Sequence, residues 1–325
     1  MSRPFYAALG VALMTIFGLV PAQASEWPSR TVTIVVPFAA GGSTDIVARL
    51  LAEQLRITFK GSFVVENRPG ATGNIGVAAA AKAEPDGHTL LLSTSGPIAT
   101  NVLLFKKLPV NPLTDLTPIA ILAEVPLIIV VNAKLPIRSL RELLDYDKAH
   151  PGKLNFGHAG TGGMGHMASE LLAMTAGRKF TNVAYQGSTP VTNDIVAGVV
   201  DVAVDLAPTY MPFIQQGTLR AIAVTTSRRM PELPDVPTVE EQGIAGYEAS
   251  SFIALMGPAN LPDDIVRKLN AAADAWLQTE GAKKALEVQT LRAVSGTPAM
   301  LKERVRAEIE KWAPVVKAAN ISLGN

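Results

Sequence analysis

The chain has 325 residues, with 29 Lys and Arg against 28 Asp and Glu, and it contains no Cys. A formal net charge of +1 provides no basic field for nucleic acid, and the missing Cys excludes disulfides and thiol chemistry. A chain of this length is enough for two domains of ordinary size.

The first 24 residues have the composition of a secretory signal peptide. Arg3 lies in a short first segment, Ala7–Val20 is uncharged and mostly apolar, and residues 22–24 form a small-x-small cleavage site. The apolar run is shorter than the roughly 20 residues of a transmembrane helix, which disfavours a membrane anchor. Cleavage after Ala24 would release a periplasmic protein that begins at Ser25, and no Cys follows the site to make it a lipoprotein.

The next part of the chain predicts alternating strands and helices. Its first strand is rich in β-branched residues, glycines follow, and the next segment has apolar residues at helical spacing. Strands separated by helices imply right-handed crossovers and a mainly parallel sheet. The predicted elements are strand Thr31–Pro37, helix Asp45–Arg56, strand Phe63–Glu66, helix Val77–Ala83 and strand His88–Ser93.

A second series of the same kind follows a long apolar strand, Ile119–Val131, which contains Pro126. Ser139 is a helix-capping residue type at the start of the next helix. The remaining predicted elements are helix Ser139–Lys148, strand Leu154–His158, helix His166–Ala176, strand Thr181–Tyr185, helix Pro190–Ala197, strands Val200–Asp205, Leu219–Thr225 and Tyr247–Met256, and helices Pro262–Thr279, Gly281–Glu287 and Pro298–Ala319.

The two series predict two lobes. We expect the three C-terminal helices to pack back on the first lobe, because they have no strand series of their own. The first lobe is then discontinuous, residues 25–124 with 247–325, and the second lobe is residues 125–246. Chain crossings near Glu124 and Gly246 would form a hinge, and a cleft between lobes is a natural site for a small molecule.

Two glycine-rich loops, one in each series, join a strand to the start of a helix. We name residues 37–45 the first glycine loop and residues 160–166 the second glycine loop. A helix N-terminus presents unpaired N–H groups and a positive dipole end, and glycines let an anion approach the backbone. We expect a carboxylate to be clamped, without Lys or Arg, by the N–H groups of Gly41–Thr44 and Gly162–His166 and the hydroxyls of Ser43, Thr44 and Thr161. One alternative is that the glycines only make tight turns, and another is that Arg68 or Arg49 supplies the charge from outside the loops.

The second glycine loop also contains G-x-G-x-x-G at Gly160, Gly162 and Gly165, a pattern of dinucleotide-binding proteins. The next strand ends at Ala184-Tyr185 rather than at an acidic residue, so no side chain is placed to bind a ribose. Secretion also disfavours a nicotinamide cofactor, and we predict no cofactor.

His158, His166 and Glu170 flank the same loop and could hold zinc. The chain lacks H-E-x-x-H, and a capping or ligand-facing His166 is favoured over a metal site. G-x-S-x-G and Cys nucleophiles are also missing, so we predict neither a metal site nor a catalytic residue.

Asp45 lies in the first turn of the predicted helix, where an anion would bind. The helix dipole favours an acidic residue there, and Arg49 lies four residues on, so a structural role is favoured. The alternative is that Asp45 accepts the ammonium group of an amino-acid ligand.

Several segments together resemble one family. In order and spacing over most of the mature chain, they are similar to the Bug-type substrate-binding proteins of tripartite tricarboxylate transporters. The matching segments are residues 37–45 with Ala48-Arg49, residues 68–73 (RPGATG), residues 85–91 (PDGHTLL), Gly165-His166 with Glu170-Leu171, residues 185–187 (YQG) and residues 233–238 (LPDVPT).

The resemblance implies a two-lobed α/β protein of the Venus flytrap type, each lobe a mainly parallel sheet flanked by helices. It implies a dicarboxylate, amino acid or aromatic acid held mostly by backbone amides and bridging waters. His88 departs from a common Tyr, and residues 250–252 from a common Trp, which bears on the ligand's identity. Carried over by position, the cleft candidates are Phe38, Gly41, Gly42, Ser43, Thr44, Asp45, Thr72, Gly73, Asn74, Ser93, Ser95, Thr161, Gly162, Gly163, Met164, Gly165, His166, Tyr185, Gln186, Gly187 and Asp205.

The main functional hypothesis is a monomeric periplasmic binding protein that delivers a small carboxylate to the membrane subunits of a tripartite tricarboxylate-type transporter. The alternative is a periplasmic sensor that presents the bound metabolite to a membrane signalling protein through the same cleft. An enzyme is disfavoured because no catalytic constellation is present.

Export makes the first testable prediction. Expressed in cells competent for secretion, the protein should be found in the periplasm with Ser25 as its first residue, because the small-x-small site ends at Ala24. Intact mass measures this directly, and a soluble product that retains Met1 would contradict it.

Overall fold

The computed structural model describes residues 27–323, and the predicted signal peptide with its cleavage site lies outside the described residues. Near the start of this range, the Trp27 ring packs edge-on against Phe59 and Phe63, with ring centroids 5.1 and 6.3 Å away. Across residues 27–323, no helix is long and apolar enough to cross a bilayer.

The first half alternates strands and helices as predicted. Its first strand is a run of buried β-branched residues, and its first helix buries Val47, Leu51 and Leu55 on one face. The elements are β1 Val32–Val36, α1 Ser43–Phe59, β2 Phe63–Asn67, a 3₁₀ turn Ala71–Gly73, α2 Asn74–Ala81, β3 Thr89–Thr94, a π-helical turn Gly96–Thr100, α3 Asn101–Leu104 and α4 Pro112–Asp115.

The second half begins with the long strand β4, Leu116–Asn132, which is buried along most of its length. Ser139 caps the next helix, because its hydroxyl accepts the N–H of Glu142 at 3.1 Å. The following elements are α5 Leu140–Ala149, β5 Asn155–His158, α6 Met164–Thr175, β6 Thr181–Ala184, α7 Ser188–Ala197, β7 Val202–Leu206, α8 Ala207–Gln215 and β8 Leu219–Val224.

The C-terminal part contains one strand that the sequence reasoning missed. The short strand β10 pairs antiparallel with β4, with Arg292 opposite Glu124. The elements are β9 Ser250–Pro258, α9 Asp263–Gln278, α10 Glu280–Val288, β10 Arg292–Gly296 and α11 Pro298–Ala318.

The strand β4 belongs to two sheets. Residues 116–126 pair with β9, and residues 127–132 pair with β7 and β8. The strand order through the molecule is β2-β1-β3-β9-β4-β7-β5-β6, with β8 and β10 also paired to β4. We call the strands from β2 to the first part of β4, with β10, the first sheet, and the remainder the second sheet. The lobe boundaries drawn from the sequence stay a prediction.

Helices cover both faces of each sheet, which confirms the predicted α/β class. Each sheet is mixed, because beside its parallel pairs the first contains the antiparallel pairs β3–β9 and β4–β9 and the second contains β4–β7 and β4–β8. On the first sheet, α1, α9 and α10 form one apolar core, and α2 with the start of α11 forms another. On the second sheet, α5, α6 and the end of α11 cover one face, and α7 and α8 cover the other.

The helix α11 departs from the expectation that all C-terminal helices pack on the first lobe. Leu301 and Val305 belong to a core of the first sheet, whereas Trp312, Val315 and Val316 belong to a core of the second. A helix of 21 residues is about 30 Å long, which is enough to span both sheets. Besides β4 and the segment that leads into β9, α11 is therefore a third connection between the halves.

Trp312 tests the role of α11. Trp312→Ala removes a fully buried side chain whose indole N–H donates to Glu308 Oε2 at 2.6 Å, and Glu308 is itself buried. We expect the free energy of unfolding to fall by about 3–5 kcal/mol in urea denaturation. Met300→Ala, on the exposed side of the same helix, is the control and should change it by less than about 0.5 kcal/mol. Equal effects of the two substitutions would contradict the packing role of α11.

Candidate ligand-binding site

Each sheet contains a point where the strand order reverses. The chain passes from β1 outward to β2 and then back to β3 on the other side, and β5, β6 and β7 repeat this order. In each set, the loop after the central strand and the loop after the third strand turn away from each other. A crevice opens between these two loops. Such switch points, at the carboxyl ends of strands, are where open α/β sheets bind ligands.

The two switch points face each other along β4. The strands β1 and β3 run in the direction of β4, whereas β5, β6 and β7 run against it. Thr94, the last residue of β3, pairs with Ile253 of β9, which in turn pairs with Ala123 of β4. From the other side, Leu206, the last residue of β7, pairs with Leu127 of β4. Ala123 and Leu127 are four residues apart, which is about 13 Å along an extended strand. Measured along β4, the carboxyl ends of the two sets of strands are therefore about 13 Å apart.

The first glycine loop connects β1 to α1. Gly41 has φ of 89°, a left-handed conformation that favours glycine, and Gly42 is the extended N-cap of the helix. The Gly41 N–H donates to Asp45 Oδ2 at 2.9 Å, and Asn67 Nδ2 and Arg49 donate to the same carboxylate at 2.9 and 3.0 Å. Asp45 thereby fixes the loop.

The charge of Asp45 is matched inside the protein. Burial alone would raise the pKa of its carboxyl, but hydrogen bonds from Arg49, the Gly41 N–H and Asn67 outweigh burial and lower it. These bonds support the structural interpretation over a contact with a ligand ammonium group.

The second glycine loop connects β5 to α6. Gly162 has φ of 75°, Gly163 is the extended N-cap, and the Gly162 N–H donates to Nδ1 of His166 at 3.1 Å. The His166 ring is stacked on His158, with centroids 4.2 Å apart and an interplanar angle of 15°. Burial, and then the neighbouring His166, lower the pKa of His158 to about 4. His166 therefore caps the loop through its ring.

Neither α1 nor α6 has a side-chain cap on its N-terminal N–H groups. Within residues 27–323, no acceptor lies in hydrogen-bond range of the first three N–H groups of either helix. These donors belong to Ser43, Thr44 and Asp45 in α1 and to Met164, Gly165 and His166 in α6.

This inventory corrects the predicted set of donors. The N–H groups of Gly41 and Gly162 are used by Asp45 and His166, and the Gly163 N–H donates to Gly160 O at 3.0 Å. The loops use these N–H groups for bonds to their own helices or, at Gly163, for a bond within the loop. Among the described residues, the N–H groups that remain open are those of Gly42, Ser43, Thr44 and Asp45 in the first glycine loop and those of Met164, Gly165 and His166 in the second.

The loop after β2 is tied to the second glycine loop through α3. Asn101 donates to Thr72 O at 3.1 Å and to Asn74 Oδ1 at 2.7 Å. A Cβ on Gly162 would lie 2.7 Å from Cδ1 of Leu104 in the same short helix, and one on Gly73 would meet Pro97 at 2.5 Å. The predicted residues Thr72, Gly73 and Asn74 therefore lie near the second glycine loop.

Two other sets of predicted residues are occupied by protein contacts. Ser93 and Ser95 are fully buried, and Ser95 Oγ bonds to Ser251 Oγ at 2.9 Å. Tyr185 directs its hydroxyl to Asp194 at 2.7 Å, and burial, then Asp194, raise its pKa to about 12.

The remaining predicted residues lie around the same strand ends. Gly187 donates its N–H to Ala159 O at 3.0 Å, which joins the loop after β6 to the second glycine loop, and Gln186 beside it is exposed. Asp205, near the end of β7, accepts the N–H of Leu206 at 2.8 Å and the hydroxyl of Tyr210 at 3.2 Å. Burial raises the pKa of its carboxyl. Phe38 packs on the core formed by α1 and α9, and Thr161 is exposed.

Sequence reasoning missed the polar residues that support the loops. Asn67 and Asn101 fix the first glycine loop and the 72–74 segment, Asn182 holds Glu170 at 2.6 Å, and Ser251 pairs with Ser95. Each is an isolated polar residue without a motif. The only signal was their position, next to a predicted strand end or apolar run.

A metal cluster is not found among the described residues, and one cavity lies beside the segment of β4 at the predicted hinge. Residues 27–323 contain no group of three His, Asp or Glu side chains that could hold a metal ion. A cavity of about 300 Å³ lies between the loop 226–232 and the α9–β10 region, beside Glu124 and Pro126. None of the predicted site residues lines it, although it borders Glu124 and Pro126 of the β4 segment between the facing strand ends.

Asp45 predicts an acid-dependent stability. A carboxyl whose pKa is lowered on folding stabilises the protein above its unfolded value of about 3.9, and this contribution is lost as the pH falls through the folded value. Asp45→Asn should therefore be less stable than the wild type at neutral pH, and the difference should shrink near pH 3. Urea unfolding at both pH values measures it.

Glu53→Gln is the matched control, because Glu53 forms an ion pair with Arg56 on the same helix but is fully exposed. It should have a smaller effect at neutral pH than Asp45→Asn, since exposed pairs contribute little. A pH-independent effect of Asp45→Asn would contradict the ion-pair account.

Comparison with known proteins agrees with this architecture. Residues 47–321 match the family described as tripartite tricarboxylate transporter family receptor. BugT of Bordetella pertussis is 36% identical over 318 residues, covering 98% of this chain and 98% of BugT.

Solved structures are similar over nearly the whole described chain. An R. palustris protein with adipate is 37% identical with a TM-score of 0.82, covering 91% of this chain and 99% of that one. MatC from Rhodopseudomonas palustris with bound malate is 35% identical with a TM-score of 0.77, covering 89% and 99%. The periplasmic binding protein BugD is 33% identical with a TM-score of 0.77, covering 91% of this chain and 99% of BugD.

These matches confirm the predicted flytrap fold, and they confirm that the protein belongs with binding proteins rather than enzymes. The chain belongs to the tripartite tricarboxylate transporter receptor family of periplasmic solute-binding proteins.

Proposed function

We propose that this protein captures a small carboxylate between its two lobes in the periplasm and delivers it to the membrane subunits of a tripartite tricarboxylate-type transporter. The observation that carries the proposal is the pair of uncapped helix N-termini, α1 and α6, at facing switch points. Each helix start offers three N–H groups and the positive end of its dipole to an anion.

Backbone donors are sufficient for useful affinity. Hydrogen bonds to a charged group contribute about 1.5–3 kcal/mol each, and micromolar binding needs about 8 kcal/mol. A handful of such bonds, less the cost of ordering the ligand, reaches this value. The two arginines that could supply the charge instead already have partners, Arg49 on Asp45 and Arg68 on Glu66.

The ligands of the solved relatives support a carboxylate. One relative was solved with adipate and another with malate, both of which carry two carboxylates. Two facing anion loops suit a ligand with an acceptor at each end. We infer a dicarboxylate as the first class to test, ahead of amino acids and aromatic acids.

Capture requires that the lobes close on the ligand. We infer that closure turns on β4 and on the segment that precedes β9, near the predicted crossings at Glu124 and Gly246. The helix α11 contacts both halves, so it must move with the hinge or limit its range. Export by a signal peptide cleaved after Ala24 and action as a monomer complete the proposal.

Proline substitutions test the backbone clamp. Proline at the first position of a helix removes one N–H while keeping helical geometry. Gly42 and Gly163 have φ/ψ of −77°/165° and −66°/162°, which suit a residue before proline. Ser43→Pro and Met164→Pro should each weaken binding by about tenfold to 100-fold. Calorimetry with adipate and malate measures this, after a thermal-shift screen of carboxylates.

Glu280→Pro is the matched control, because Glu280 is the exposed first residue of α10. It should bind as the wild type does. If both loop prolines bind normally while Arg68→Ala loses binding, a side-chain cation holds the ligand and the clamp is wrong. If no carboxylate in the screen raises the unfolding temperature, the proposed ligand class is wrong.

A further inference from the structure

The two glycine loops are built in the same way. In each, a glycine with positive φ precedes an extended N-cap glycine, Gly41-Gly42 in one and Gly162-Gly163 in the other. In each, the first glycine donates its N–H to the side chain four residues on, which is the third residue of the helix. That acceptor is Asp45 in the first glycine loop, at 2.9 Å, and His166 in the second, at 3.1 Å.

The equivalence extends to the partners of the two acceptors, but with reversed charge. Asp45 pairs with Arg49, four residues on, and His166 faces Glu170, four residues on, with Nε2 to Oε1 at 3.6 Å. An asparagine from the neighbouring strand completes each group. Asn67 of β2 donates to Asp45, and Asn182 of β6, which occupies the equivalent place in its sheet, donates to Glu170.

We propose that His166 is the positioning residue of the second-lobe anion site, that its ring does not contact the ligand, and that its protonation weakens carboxylate binding. The proposal rests on the proposed function and adds a residue role and a pH response to it. In the first lobe Asp45 has the same positioning role without this response.

The chemistry follows from the ring nitrogen that accepts the loop N–H. Only a neutral imidazole has a lone pair at Nδ1, and its proton is then on Nε2, on the side of Glu170. A protonated ring carries a hydrogen on both nitrogens. Its Nδ1–H would then face the Gly162 N–H, and two donors cannot form a hydrogen bond. The loop then loses the bond that aims the open N–H groups of Met164 and Gly165. The carboxylate of Asp45 keeps its lone pairs, because its pKa is lowered.

Three other titratable groups lie around the His166 ring or its helix turn. His158 of β5 stacks on it, Glu170 of α6 faces Nε2, and Asp205 of β7 lies against the Gly165 backbone. With its pKa lowered to about 4, His158 stays neutral in mildly acidic solution. Burial raises the pKa of Asp205, so an Asp205→Asn variant must show whether that carboxyl contributes.

Calorimetry with adipate and with malate across about pH 8 to 5, where histidines ordinarily titrate, tests the proposal. Wild-type affinity should fall on acidification, by up to about tenfold per pH unit for one linked proton, and Asp205→Asn should keep this response. His166→Ala should bind at least about tenfold more weakly at pH 8, as expected if the misplaced loop loses one N–H hydrogen bond to the carboxylate. Its affinity should not change with pH.

The matched variant copies the first-lobe pair into the second lobe. His166→Asp with Glu170→Arg restores a non-titrating acceptor and its partner, so binding should recover relative to His166→Ala and stay flat with pH. Asp45→His with Arg49→Glu makes the converse exchange and should add a second acid-dependent loss of affinity. Recovery separates positioning from mere loss of a core side chain.

Three results would overturn the proposal. A wild-type affinity that rises in acid and depends on His166 means that an imidazolium contacts the ligand. An acid response that persists in the double variant means that another group is responsible. A Gly162 amide proton resonance that does not follow the His166 titration in ligand-free protein removes the hydrogen bond itself. Absence of any adipate or malate binding would instead count against the proposed function, and the amide readout would still decide the role of His166.

Discussion

Unpaired backbone N–H groups at two helix starts are the constraint on which the rest of the structure depends. Among the residues that the structure describes, each of α1 and α6 leaves three such donors without a protein acceptor, and neither helix has a side-chain cap. Groups of this kind need a partner, either water or a ligand anion. The glycine loops, their buried acceptors and the asparagines of the neighbouring strands all hold these donors in one geometry.

The sheet topology brings the two helix starts to facing strand ends. The strand β4 runs parallel to β1 and β3 in the first sheet and antiparallel to β5, β6 and β7 in the second. The carboxyl ends of both sets of strands therefore point at the same few residues of β4. Because α11 and α3 also contact both halves, the facing loops are held by more than β4 and the segment before β9. In the proposed function, a ligand would meet well-supported elements on both sides, which lowers the ordering cost of binding.

Much of this could be predicted from the sequence, and the misses have physical reasons. The positions of β1, α1, β5 and α6 follow from apolar residues bounded by glycines, although the two helices start two residues earlier than predicted. The helix α8 was missed because Pro208 and Pro212 interrupt its pattern, and β10 because Arg292–Gly296 has little apolar character. The sequence alone does not decide whether His166 caps the loop or contacts the ligand, because this depends on the orientation of its imidazole ring. The equivalence of the two loops was hidden because their acceptors, a carboxylate and an imidazole, share no residue type.

The central claim is that both loops bind the same anion at once. An amide-resolved NMR titration with adipate tests it most directly, with malate as the second probe. The account predicts that the amides of Ser43 and Thr44 and those of Met164 and Gly165 shift together, with one dissociation constant, as expected for hydrogen bonds to a single carboxylate ligand. Shifts confined to one loop, or centred on the cavity beside Glu124 and Pro126, would contradict it.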